Sequence, residues 1–390
     1  MDVLSFVPGR VVKPIVKNCS LFMLVLLSCG RQQNNNNNNN VQPGEGLKYA
    51  RGYSIADKGN YFRVEVYNPW DNYKILRTYV IADSSSKVVV PGDITYLRLP
   101  LEKGVFLSST YIGMLSMLHS EDFISACTSA NWVFDSVIYR KYKQGDIINL
   151  GNGLGINTEA IIGLSPDLVM KYIYQAPDAS DDIIASSGIP IVYNIEFMEP
   201  HPLGRAEWIK LIGLLTGKKD LADSIFSEIE KNYLHYCSMA NKAPKGPKPK
   251  VLVGNTYKGV WYAAGGKSFV AKLIGDAGGD YYWSADSSTG GLPISFEGAM
   301  QKQKDDDIWL NANASSLAEL AATEPRSINF KAFREGNVYH YNKRKNPEGG
   351  LDYYESGVIR PDLLLRDLIL ILHPELFGDS EQTLYWQKLK

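Results

Sequence analysis

The hydrophobic positions fall into two series of short apolar runs separated by amphipathic stretches, with one long helical stripe between the series. Tyr61-Phe62-Arg63-Val64-Glu65-Val66-Tyr67 alternates as a strand does. Ile75 to Ala82 answers it across a turn at Asn68 to Tyr73, which predicts a hairpin. From there the pattern is α/β. Strands are predicted at Val105-Phe106-Leu107, Phe123 to Thr128, Leu168 to Lys171 and Ile189 to Tyr193. Helices are predicted at Tyr111 to Leu118, Glu159 to Leu164 and Ile183 to Ser187, which makes a small, mainly parallel sheet. Glu207 to Leu215 predicts a helix that stops near Gly217. Lys219 to Met239 then places apolar residues at Leu221, Ile225, Phe226, Ile229, Tyr233, Leu234 and Tyr236 or Cys237, a helical stripe. At 1.5 Å per residue that helix is ~30 Å long, enough to reach across two lobes. Ala243-Pro244-Lys245-Gly246-Pro247-Lys248-Pro249 ends it. A second set follows, with strands at Val251-Leu252-Val253, Ile308-Trp309-Leu310 and Val338 to Tyr341, and helices at Phe269 to Ala277 and Leu363 to Leu372.

One pattern occurs in both series. Asn157-Thr158-Glu159-Ala160-Ile161-Ile162 opens a helix and Pro166-Asp167-Leu168-Val169-Met170 reads as the strand after it; Ser295-Phe296-Glu297-Gly298-Ala299-Met300 and Asp307-Ile308-Trp309-Leu310 repeat the arrangement. Each opening carries a capping side chain (Asn157 or Thr158, then Ser295) and a glutamate in the first turn, where a carboxylate suits the helix dipole. Either glutamate alone need do no more than start its helix. Two matched copies in a duplicated α/β chain put one on each half of a clamshell.

Length supports the same division, since 390 residues exceed one ordinary domain of ~100–200 residues. An apolar share of 45% suffices for two cores, and a net charge of −1 without a dense Lys/Arg stripe offers no footprint for nucleic acid. With 24 tyrosines and 7 tryptophans, the chain has aromatics to spare for stacking on a large planar ligand. The N-terminus reads as a targeting segment: Arg10, Lys13 and Lys17 precede the apolar Leu21 to Leu27, a stretch shorter than the ~20 residues needed to span a bilayer. Residues 31–46, with seven consecutive asparagines, form a polar low-complexity tether. Cys127 and Cys237 lie in different predicted elements and are expected to remain unpaired thiols.

No catalytic constellation assembles in the sequence. Gly151-Asn152-Gly153-Leu154-Gly155 lacks the third glycine of a dinucleotide loop, where Ile156 stands, and Gly265-Gly266-Lys267-Ser268 lacks the first glycine of a phosphate loop, where Trp261 stands. The five histidines are scattered without ligand spacing, which speaks against a built-in zinc site. The chain reads as a binder, not an enzyme.

The pieces in order resemble the substrate-binding proteins of ABC importers for iron complexes and vitamin B12. The matching residues are Leu107-Ser108-Ser109-Thr110, the run from Asn157 through Glu159 to Val169, Gly188 to Val192, Leu211-Ile212-Gly213-Leu214-Leu215-Thr216-Gly217 and Gly265 to Ser268. The likeness runs from about Tyr49 to the C-terminus. Leu26-Leu27-Ser28-Cys29 resembles a bacterial lipobox, which implies that Cys29 is acylated and holds the protein on a membrane.

The resemblance implies an α/β fold of two Rossmann-like lobes joined by one long helix. The corresponding organisation is a lipoprotein signal peptide at 1–28, a tether at 29–46, an N-terminal lobe at 47–217, the helix at 218–243 and a C-terminal lobe at 244–390. It further implies that Glu159 and Glu297 dock with arginines on the permease dimer of an ABC importer, which works with its ATPase subunits. The ligand, held in the interlobe cleft, would be a ferric siderophore, haem or a corrinoid, with no intrinsic cofactor. Loops at strand ends supply the candidates for contacting it: Thr110, Tyr111, Trp132, Tyr172, Tyr257, Trp261 and Tyr262, with Arg360 a candidate partner for an anion. The expected location is the bacterial envelope, as a periplasmic lipoprotein. The alternative is an envelope enzyme that processes a metal chelate on a similar clamshell.

Overall fold

The computed structural model describes residues 42–151 and 155–390, so Cys29, the signal segment and most of the tether lie outside the described residues. The chain enters the fold through a four-stranded sheet of β1 (Tyr53–Asp57), β2 (Phe62–Asn68), β3 (Lys74–Asp83) and β4 (Ile94–Leu99), in that order. β2 and β3 are the expected hairpin; β1 and β4 extend it on either side.

The first α/β series follows as β5 (Gly104–Phe106), α1 (Ser109–Met117), β6 (Ile124–Cys127), α2 (Ser136–Gln144), β7 (Ile148–Asn149), α3 (Thr158–Leu164), β8 (Leu168–Lys171), α4 (Ala179–Ser186) and β9 (Ile191–Tyr193). Its five strands pair in the order β7-β6-β5-β8-β9, all parallel. The helix expected at Glu207 to Leu215 is two pieces, α5 (Pro202–Glu207) and α6 (Ile209–Leu215). α5 starts earlier than the hydrophobic pattern suggests because Pro202 occupies its first turn and the His201 ring accepts from the Leu203 amide.

α7 (Lys219–Ala240) is the long stripe, ~33 Å at 1.5 Å per residue. It buries Ala222, Phe226, Ile229, Tyr233 and Ala240, while Leu221 and Leu234 turn to solvent. The second series comprises β10 (Val251–Val253), β11 (Asn255–Tyr257), β12 (Val260–Ala264), α8 (Phe269–Asp276), β13 (Gly291–Ser295), α9 (Phe296–Gln303), β14 (Ile308–Leu310), α10 (Leu317–Thr323), α11 (Lys331–Arg334), β15 (Val338–His340), α12 (Pro361–Leu372) and β16 (Gln387–Lys388). β10, β14 and β15 are parallel, β16 closes that sheet antiparallel, and β11-β12-β13 form a separate antiparallel sheet.

The strand period explains how the second lobe joins the first. Val251, Val253, Ile308 and Leu310 face a core shared with α8, α12, α7 and the first sheet. The alternate residues, Leu252 and Trp309, face a second core with Trp261, Phe296 and Phe330. α7 packs on α5 and α6 of the first lobe and on α12 of the second, and the Tyr233 hydroxyl donates to Asp276 at the end of α8. Residues 43–390 accordingly form one compact unit, and their contacts do not separate at the long helix. Cys127 is buried and Cys237 half-buried, both as free thiols.

Candidate ligand-binding cleft and lobe tips

Parallel sheets place their variable loops where the strands end. Here β5 runs into Leu107 to Thr110, β6 into Thr128 to Trp132, and β8 into Tyr172 to Tyr174. The segment between β15 and α12, residues 341–360, comes from the second lobe and lies along these ends. Asn346 donates to the carbonyls of Asn131 (2.8 Å) and Val133 (2.9 Å), and the Glu355 carboxylate accepts from the amides of Phe134 (2.7 Å) and Asp135 (2.8 Å). The approach is close enough to demand glycine: a Cβ at Gly350 would sit 1.7 Å from the Trp132 carbonyl oxygen, and one at Gly113 would sit 2.4 Å from that of Glu355. Burial pushes the Glu355 carboxyl up to about 8 despite its two amide donors.

Aromatic rings gather at this junction. Trp132, Tyr172 and Tyr354 are 38%, 45% and 40% exposed, and Tyr174 more so. Tyr172 packs edge-on against Phe197 (6.1 Å), which approaches Trp70 (6.2 Å), itself 5.7 Å from Tyr174. Trp70 arrives on the turn between β2 and β3, pinned by the Asn68 side chain donating to the Gln175 carbonyl. The Tyr354 hydroxyl is 2.6 Å from that of Tyr341, and Ser109 Oγ lies 3.4 Å from the Tyr354 carbonyl. Arg205 of α5 reaches Glu196 (3.4 Å) and stacks 5.2 Å from the ring of Phe269, the first residue of α8. Its buried Nε has no hydrogen-bond partner among the described residues.

Of the candidates read from the sequence, Trp132 and Tyr172 are exposed just past strand ends, Tyr257 is exposed as the last residue of β11 rather than in a loop, and Tyr262, in β12, is half-buried. Three are corrected. Thr110 and Tyr111 fall on the inner face of α1: the Thr110 hydroxyl sits 3.0 Å from that of Ser108, and Tyr111, 0% exposed, donates to the Asn194 carbonyl. Trp261, also 0% exposed, lies in β12 rather than in a loop, and strand alternation turns it inward against Trp309 and Phe330. Its indole N–H is satisfied by the Val253 carbonyl. Arg360 forms a two-pronged pair with Asp362 at the start of α12. Trp70, Phe197, Arg205 and Tyr354 escaped the sequence reading; for Arg205 the local sign was a cation on a short, largely buried helix. His201, half-buried, and His340, buried, are both pushed down to about 4 by desolvation. No group of three metal-ligating side chains is found among the described residues.

The two glutamates sit as the repeat implies. Asn157 caps α3 by accepting from the Ala160 amide (2.9 Å), and Ser295 caps α9 by accepting from Gly298 (3.0 Å). Glu159 and Glu297 occupy the first turns, both exposed. Each helix leads directly into a parallel strand, so both N-termini lie on the side of their sheet where the strands end.

A family model described as periplasmic binding protein matches residues 105–345. The chain belongs to the periplasmic binding protein family. It is 28% identical over 308 residues to an uncharacterized lipoprotein of Methanocaldococcus jannaschii, covering 75% of this chain and 70% of that protein. A second protein of that organism is 21% identical over 307 residues, covering 76% and 90%. Among solved structures, a periplasmic heme-binding protein from Pseudomonas aeruginosa aligns with TM-score 0.55 and 17% identity over 73% of this chain and 95% of its own. One from Roseiflexus gives 0.54 and 18% over 71% and 100%. The TroA-like periplasmic binding protein FepB from Veillonella parvula gives 0.53 and 16% over 75% and 96%. At such identities these three likenesses establish the fold: this periplasmic binding protein has the two α/β lobes of its family. Members of the family bind solutes, and no described helix is long and apolar enough to cross a membrane.

Proposed function

We propose that this periplasmic binding protein captures a ferric siderophore, haem or a corrinoid between its lobes. It then delivers that ligand to the permease of an ABC importer, while a lipid on Cys29 holds it at the membrane. The observation that carries the reading is that exposed rings follow the ends of neighbouring strands, Trp132 after β6 and Tyr172 and Tyr174 after β8, with Tyr354 on the segment that crosses from the second lobe. Exposed aromatic surface of this kind suits a partner with a large flat or apolar face. Tyrosine oxygen is also a recognised ligand for haem iron.

The names of the structural neighbours, which include heme-binding proteins, and the lipoprotein naming of a relative support the same reading. Glu159 and Glu297 are the residues proposed to meet permease arginines. The test is the absorbance spectrum of the protein purified from its native host, because haem, ferric chelates and corrinoids absorb differently. A protein that emerges colourless and takes up none of the three when they are added contradicts the proposal.

A further inference from the structure

The two lobe tips are not electrostatically alike. Among the described residues Glu159 has no side-chain partner, whereas Glu297 Oε1 accepts from Arg326 Nη1 at 2.7 Å. That arginine is itself fixed. Its Nε and Nη2 donate to both oxygens of Glu324 (2.7 and 2.8 Å), and its guanidinium lies 3.9 Å over the Phe296 ring. Pro325 and the Glu324 cap hold the short turn that carries it, and the pairing with Arg326 keeps the Glu324 carboxyl below its usual range. Arg326 therefore cannot swing away from Glu297 without giving up a two-pronged pair and a ring contact. A cation approaching Glu297 from outside finds one carboxylate oxygen occupied and a fixed like charge beside it.

Resting on the docking role proposed above, we infer that the contact with the permease is unequal. Glu159 takes a permease arginine directly, and Glu297 does so only in competition with Arg326, which weakens the second contact. The partner surface this fits is a permease dimer whose two symmetry-related arginines meet one open and one pre-neutralised carboxylate. Release of the binding protein would then start at the second lobe.

The experiment measures binding of the full-length protein to the host importer, permease dimer with its ATPase subunits, in lipid nanodiscs. Glu159→Gln is expected to weaken binding about 30-fold or more, as loss of one partner of a shielded charge pair does. Glu297→Gln should cost about 5-fold or less, as for an exposed, already neutralised pair. Arg326→Gln should tighten binding, and in that background Glu297→Gln should cost as much as Glu159→Gln. Arg326→Lys keeps the charge and should not tighten binding, and a thermal melt confirms that each variant is folded. Equal losses from the two glutamate variants, or no tightening by Arg326→Gln, overturn this inference while leaving docking intact. No loss from either glutamate variant sinks the docking role itself.

Discussion

Replacing Glu207 with alanine should loosen the point where the tether enters the fold. Glu207 is fully buried at the end of α5, and its two oxygens accept from the backbone amides of Lys48 (3.0 Å), Tyr49 (2.8 Å) and Ala50 (2.9 Å) and from Lys210 Nζ (2.9 Å). Glu199 continues the clasp by accepting from Arg51 (2.9 Å), Gly52 (2.8 Å) and the Trp208 indole (2.9 Å). Five consecutive amides, 48–52, are thus held by two carboxylates. Alanine strands the buried Ala50 amide at about 1–3 kcal/mol, whereas the partly buried amides of Lys48 and Tyr49 recover much of their loss from water. Lys210, 15% exposed, loses its near-contact partner, and the void adds a further penalty. Glu199 is held up at about 7 by its burial, with the Glu207 charge adding to it, and relief of that repulsion offsets part of the loss. The net loss is about 3 kcal/mol. Urea unfolding measures it, and hydrogen exchange should show amides 48–50 losing protection before those of β5 and β8. A loss below about 1 kcal/mol with unchanged exchange at 48–50 would refute the clasp as a stabilising device.

The pH dependence follows from the same buried groups. Glu199, at about 7, and Glu355, at about 8, bind protons more tightly folded than unfolded, so stability rises as pH falls from about 8 toward the ordinary glutamate range. His201 and His340, held down to about 4, act oppositely and remove stability as pH falls below about 6.5. A melting series should therefore climb on mild acidification from pH 8 and fall below about pH 4.5, and Glu355→Gln should flatten the alkaline limb; a curve that climbs steadily toward alkali contradicts these assignments. Trp261→Ala should cost about 3–5 kcal/mol of stability through the cavity it leaves, while Tyr172→Ala, on an exposed ring, should leave the melting temperature nearly unchanged; equal shifts would contradict their placement. Because α7 packs along both lobes with no hinge loop, X-ray scattering of apo and loaded protein should nearly superimpose, and a large domain rotation would show that the packing yields.

Much of the α/β alternation was legible because each buried strand announces itself as a short apolar run. Leu168–Lys171 and Val251–Val253 lie where the pattern places them, and α7 differs by one residue at its end. The caps at Asn157 and Ser295 were legible for the same local reason: a short polar side chain three residues before the amide it satisfies. The β11–β13 sheet was not. β11 is the polar Asn255-Thr256-Tyr257, and β13 contains Pro293, which weakens a strand reading and is tolerated because β13 is an edge. Missing that sheet misplaced Trp261, whose orientation follows only once it is known to lie in a strand. The crossing segment of residues 341–360 was invisible for a different reason. Its meaning comes from contacts with Asn131, Val133 and Phe134, more than 200 positions away in the chain, and no local periodicity encodes these.

The central claim is that this protein binds a metal complex and releases it unchanged. The direct measurement is a fluorescence titration of the whole protein in detergent with hemin, a ferric siderophore and cyanocobalamin in turn, followed by recovery and chemical identification of the bound compound. The expected result is one-to-one binding of one of the three at about 1 µM or tighter. That affinity should be weakened by Trp132→Ala or Tyr172→Ala, and the compound should be recovered intact. Binding of none of them, or recovery of a chemically altered product, would contradict the account.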